Sequence, residues 1–96
     1  MDRKNQKKHQ ISLDADIYRV LISGHIILSE CGYFLDKAKL SKKGLFDLYI
    51  TESELSELLD AVVNQIDNTY PEERSKIGDL ENIYICLRGE LRLIHC

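Results

Sequence analysis

Residues 45–66, LFDLYITESELSELLDAVVNQI, leave the chain less local freedom than any other stretch. Phe46, Leu48 and Ile50 alternate with Asp47 and Tyr49, the period-two pattern of a half-buried strand over about residues 45–50. Thr51 and Glu54 then form the T-x-x-E capping box that starts a helix, with Ile50 and Leu55 placed as its hydrophobic staple. Leu55, Leu59, Val62 and Ile66 share one face of the helix expected over 52–67, with Leu58 and Val63 beside it. Glu52, Glu57, Asp60 and Gln65 are expected outside.

The same device is repeated 37 positions earlier, where ISLD at 11–14 echoes LYIT at 48–51. Ile11 and Leu13 alternate with Gln10 and Ser12, which predicts a short strand over 10–13. Asp14 is placed as an N-cap, and Asp16 puts a negative charge in the first helical turn. Two short strands of this kind can pair antiparallel, within a chain or across a dimer, because a lone strand cannot satisfy its own backbone. A first helix is expected over about 15–30, stopped by Gly32. Its apolar residues occupy no single stripe, so it is expected to be buried on most sides, as a central helix or with one face on a second subunit.

Residues 33–43 read as a short helix or a loop, closed by the turn signal Ser41-Lys42-Lys43-Gly44. Pro71 suits the first turn of a last helix reaching about residue 94. Its apolar positions Ile77, Leu80, Tyr84, Leu87, Leu91 and Ile94 step by three and four. The short connection makes it an antiparallel hairpin with the helix over 52–67. Ile83, Ile85 and Cys86 widen its apolar surface toward a second contact. The fold class is therefore mainly α, alternatively α+β: three to four helices in a small bundle, with two short strands preceding the first and second of the long helices.

Residues 1–9 read as a basic flexible arm and residues 10–96 as one helical domain. The arm leads into an acid-interrupted segment, not an apolar run with a cleavage site, and no apolar run approaches the ~20 residues of a bilayer span. The expected location is cytoplasmic. Cys31, Cys86 and Cys96 are odd in number and lack motif spacing, which argues against a disulfide framework. Charge is uneven: residues 1–48 hold nine Lys/Arg and six Asp/Glu, and the remainder hold four and ten.

Little in the chain points to catalysis. The histidines are His9, His25 and His95, and no HxxxH, CxxC or HExxH spacing occurs, so no metal or cofactor site is expected from local ligands. His25 reads as a core or interface residue, and a thiol or metal site with Cys31 and Cys86 would need tertiary contact. Glu52, Glu54, Glu57 and Asp60 occupy a solvated face and a dipole-favoured first turn, not a cleft that would tune them for acid–base work. The glycines are scattered and form no phosphate loop.

The chain is expected to be a non-enzymatic protein–protein interaction or oligomerisation module, homodimeric or bound to a protein partner. Its expected contact residues are Ile26, Ile27, Tyr33, Tyr49, Tyr70, Glu57 and Asp60, and an acidic surface is expected on the helix over 52–67 and the start of the last helix. The alternative is a nucleic-acid-associated regulator using Arg3, Lys4, Lys7 and Lys8, extended by Lys37, Lys39, Lys42 and Lys43. The run KHQISLDADIYRVL resembles the opening of ribbon–helix–helix DNA-binding proteins, a short strand with alternate polar residues and then a helix. The resemblance implies strands paired across a dimer, with Gln10 and Ser12 facing outward and Lys8 nearby. It covers fourteen residues, and SECGYFLDKAKL carries no second capped helix of that family.

Overall fold

The computed structural model describes residues 8–95. Its elements are β1 (Lys8–Asp14), α1 (Ala15–Ser23), α2 (His25–Leu35), β2 (Lys39–Leu40), β3 (Leu45–Thr51), α3 (Glu52–Asp67) and α4 (Arg74–His95). The expectation of a mainly helical fold with short strands ahead of two helices is met, and the strands form a sheet. Its order is β1-β3-β2, antiparallel throughout.

The two echoed segments pair with each other. β1 and β3 run antiparallel from Lys8 opposite Thr51 to Asp14 opposite Leu45. The register puts Ile11 opposite Leu48 and Leu13 opposite Phe46, so the apolar residues of both strands share one face. Ile11, Leu13, Leu48 and Ile50 are buried there under the helices, while Gln10, Ser12 and Tyr49 are exposed on the other face. Ser12 Oγ donates to Asp47 Oδ1 at 2.7 Å across that open face. The predicted turn at Ser41–Gly44 is the β2–β3 hairpin. Gly44 adopts φ 81°, and the Ser41 hydroxyl accepts from the Lys43 and Leu45 amides.

The helix expected over 15–30 is two helices. The chain leaves helical geometry at Gly24, with φ −81° and ψ 116°. This corrects the expectation of one helix buried on most sides and explains its missing stripe. Each half buries its own face, Leu21 from α1 and Ile27, Cys31, Phe34 and Leu35 from α2, while Ile22 and Leu28 remain exposed. Gly32 does not stop α2, because a buried glycine fits the helix interior and the chain stays helical to Leu35. The tail of 33–43 therefore extends α2 and then supplies β2, in place of a separate short helix.

The break is held from the far end of α3. The Gln65 side chain is buried, and its Oε1 accepts from the Ile26 amide at 2.8 Å, one of the donors that a helix start leaves unpaired. A Cβ at Gly24 would stand 2.9 Å from that same oxygen. Gln65 was expected outside. It lies seven residues past Leu58, on the buried line of α3, and it is the polar member of that line.

Tyr18 ties three elements together. Its ring stacks on Phe46 of β3 at 4.1 Å, and its hydroxyl donates to the Leu35 carbonyl at 2.9 Å, satisfying an acceptor at the end of α2. α3 begins as expected: Thr51 Oγ1 accepts from the Glu54 amide at 3.1 Å, and Glu54 Oε1 accepts from the Thr51 amide at 2.9 Å. The corresponding Asp14 makes no side-chain cap bond to α1. α3 and α4 form the expected hairpin, with Leu80, Ile83 and Leu87 of α4 in the core. α4 begins at Arg74 and not at Pro71, because Pro71 sits second in a turn closed by the Glu73 amide on the Tyr70 carbonyl at 2.8 Å.

Candidate interaction surfaces

Three surfaces stand apart from the packed core. The first lies between α2 and α3. Tyr33, 56% exposed, donates from its hydroxyl to Glu57 Oε1 at 3.2 Å. Burial, the bond to Glu57 and the charges of Glu57 and Glu54 all hold the Tyr33 hydroxyl above its ordinary pKa. Asp60 is exposed three residues further along α3. Cys31 lies beneath this acidic flank and is fully buried. Burial first, then the charges of Glu57 and Glu30, push its thiol up to about 12, so it is held protonated.

The second surface is a cleft between α1 and α4. Near the α3–α4 corner it opens to about 460 Å³ beside Gly24, Gln65 and Tyr70. It continues as a space of about 430 Å³ over Ile17, Val20 and Ile83. The two spaces share Arg19, Val20 and Asp79 and so form one groove. Arg19 is engaged by Asp16 at 3.4 Å, and Lys76 by Glu73 at 3.1 Å, both as exposed pairs one turn apart. Such pairs contribute little to stability. Among the described residues, no buried side-chain nitrogen or oxygen lacks a hydrogen-bond partner.

The third surface is the edge of the sheet. β1 has β3 on one side, and on the other its backbone meets no hydrogen-bond partner among the described residues. The two edges of this sheet differ. β2 is two residues long and begins with Lys39, both features that blunt an edge. β1 is seven residues long, carries no proline and pairs without a bulge. A cleft of about 170 Å³ runs along it, lined by Ile11, Leu13, Ile17, Cys86 and Leu87.

The expected contact residues do not form one patch. Tyr33 and Glu57 meet, and Asp60 follows on the same helix. Tyr49 stands on the open sheet face opposite Gln10, and Tyr70 at the α3–α4 corner, both exposed. Ile26 is half-buried at the start of α2. Ile27 must be withdrawn from the set, since it is 0% exposed and packs in the protein's own core. Ile83 is likewise core, while Ile85 is exposed and Cys86 lines the α1–α4 cleft.

His25 is exposed rather than in the core, and Cys31 and Cys86 differ in kind, one buried and one at the surface. Among the described residues, no group of three or more His, Cys, Asp or Glu side chains could hold a metal ion.

Of the basic residues, Arg3, Lys4 and Lys7 lie outside the described residues, while Lys8 and His9 belong to β1. Lys37, Lys39, Lys42 and Lys43 are exposed around β2 and its turn. Lys8 pairs at the Thr51 end of the ladder and the turn enters at the Leu45 end. Lys39, opposite Asp47, stands four ladder positions from the Lys8 level with β3 between, and the turn stands six positions away, about 20 Å. Asp47, Ser12, Gln10 and Tyr49 lie between, so among the described residues no basic stripe continues from Lys8 across the face. The strand pairing implied by the ribbon–helix–helix resemblance is also replaced on one side, where β1 pairs with β3 of its own chain.

Sequence reasoning overlooked the β1 edge because Lys8 was assigned to the arm and because edge status depends on strand order. The alternation of ISLD was the available signal. Among the described residues no helix is long and apolar enough to cross a membrane. No family model matches the chain, and no curated protein or solved structure matches it at significant similarity.

Proposed function

We propose that the chain is a non-enzymatic interaction and oligomerisation module of the cytoplasm that works through the open edge of β1. The observation that carries this reading is the contrast between the two sheet edges, one ending in the two-residue β2 and one formed by the seven residues of β1, which is free of bulges and unpaired among the described residues. An exposed row of amide and carbonyl groups is a template for another strand, and main-chain bonds formed there give affinity. The buried Cys31 thiol, held protonated, is unsuited to serve as a nucleophile. The separation of Lys8 from the basic turn disfavours the nucleic-acid alternative.

The test is site-specific photocrosslinking of the full chain in cells. A photoreactive amino acid replaces Gln10 on β1, and in a control replaces Glu81, which is exposed on α4. The expected result is a discrete adduct with one polypeptide through position 10 and none through position 81. No adduct at position 10 rejects the reading.

A further inference from the structure

We propose that the polypeptide received by the β1 edge is a second copy of this chain, paired β1 to β1 antiparallel about a two-fold axis at Ile11. This rests on the reading that the open edge is the working surface, and it adds the identity of the partner and the register.

The register follows from the strand itself. In a sheet, a side chain must stay on its own face when a strand is added, because a slip of one residue sends the apolar set to solvent. Ile11 and Leu13 are buried on the helix side, and Gln10, Ser12 and Asp14 are exposed on the other. Two copies of β1 therefore pair odd with odd and even with even positions. Among such antiparallel registers, one pairs all seven residues, with Ile11 opposite its own copy. It puts His9 opposite Leu13 on the helix side and Gln10 opposite Ser12 on the open face.

It also puts Lys8 of each copy opposite Asp14 of the other, at both ends of the junction. Both side chains are exposed, and among the described residues neither has an ion-pair partner. Asp14 is free for this because it makes no side-chain bond to α1. Directly opposite residues of an antiparallel pair hold their Cβ atoms about 4.5–5.5 Å apart, within reach of a Lys–Asp pair. The edge is thus complementary in charge to its own rotated copy, as an isologous interface requires. The product is one six-stranded sheet with the short β2 strands outermost, in which neither seven-residue β1 edge remains open.

The cleft beside β1 borders the junction. Ile17 and Cys86 line it next to the strand together with the polar Ser12, Asp14 and Glu90. A copy docked at the edge closes this space from outside.

The experiment is sedimentation equilibrium of the full chain at low and high salt, for wild type, Lys8→Glu, Asp14→Lys and the double reversal. Wild type is expected to be a dimer that weakens as salt rises. Each single reversal sets like charges opposite at both ends and is expected to raise the dimer dissociation constant on the order of tenfold. The double reversal restores opposite pairs and is expected to return close to wild type.

Asp14 precedes α1, so Asp14→Lys also disturbs the helix start. Lys8→Glu stands at the other end of the strand and carries the test alone through the sign of its salt response. Its dimer should tighten as salt screens the repulsion, the reverse of wild type. A wild-type dimer indifferent to all reversals overturns the β1 register while leaving an interaction module that self-associates elsewhere. A wild-type monomer at every concentration overturns the self-pairing. The adduct through position 10 then shows whether a different chain occupies the edge or whether the interaction reading falls with it.

Discussion

Gly24 and Gln65 form one structural unit although 39 residues separate Ile26 from the glutamine that caps it. The Gly24 backbone angles are open to any residue, so what excludes a side chain is space. Gly24→Ala should drive the Gln65 carboxamide off the Ile26 amide and cost about 1–2 kcal/mol, the worth of a lost, partly buried hydrogen bond. In a Gln65→Ala background the clash is gone, so the same substitution should cost less. That non-additivity, read by urea unfolding, distinguishes a shared contact from two independent losses. Gly78 gives the opposite sign. It lies inside α4 with open space where a Cβ would sit, so Gly78→Ala should stabilise by about 0.5–1 kcal/mol.

The two described thiols should differ sharply. In a Cys96→Ser background, a thiol reagent should label the exposed Cys86 at once and reach the buried Cys31 only on unfolding. Equal labelling rates in the folded protein would contradict the burial of α2 against α3. Cys31 also gives a pH dependence. Folding raises its pKa from the ordinary 9.0 to about 12, so the fold favours the protonated thiol. The contribution is intact below about pH 9 and is lost as pH climbs toward about 12. Tyr18 and Tyr33 are raised as well, both chiefly by burial, and act in the same direction. Stability should therefore fall through the alkaline range, and Cys31→Ala should flatten part of that fall.

Among the elements, β3 and α3 were legible because every local signal in them agrees. Alternation, capping box and helical face each depend on residues a few positions apart, and the box forms with both its bonds. Thr51→Ala should remove it and cost about 1 kcal/mol in thermal or denaturant unfolding. An unchanged midpoint would mean that packing of Leu55 and Leu58 sets the start of α3 without the cap. The break at Gly24 was not legible, because its cause is a side chain on another element. The persistence of α2 through Gly32 and the two-residue β2 were hidden for a similar reason. A glycine can end a helix or lie within one, and β2 exists only because the Ser41–Gly44 turn brings it to β3. Pro71 suits a helix start by its own fixed φ, and the turn from Tyr70 to Glu73 takes precedence.

At the scale of the molecule, two strand–cap–helix units that look alike in sequence have unlike fates. β3 is paired along its whole length with β1 on one edge and at Phe46 and Asp47 with β2 on the other, whereas β1 is paired on one edge alone among the described residues. The residues expected to meet a partner are three tyrosines, two acids and the isoleucines Ile26 and Ile27, and the fold scatters the tyrosines and acids over the α2–α3 flank, the sheet face and the α3–α4 corner while it buries Ile27. The edge of β1 could not be picked out in the same way, since its significance lies in backbone groups and strand order. Side chains enter only where Lys8 and Asp14 terminate the strand with opposite charges.

The central claim, that β1 presents an open edge which another chain closes, is tested most directly by hydrogen–deuterium exchange of the β1 amides at high and low protein concentration. Amides on the edge away from β3 should exchange fast in dilute protein and become protected as concentration rises, while those bonded to β3 stay protected throughout. Outer-edge amides that exchange at one rate at every concentration would contradict it.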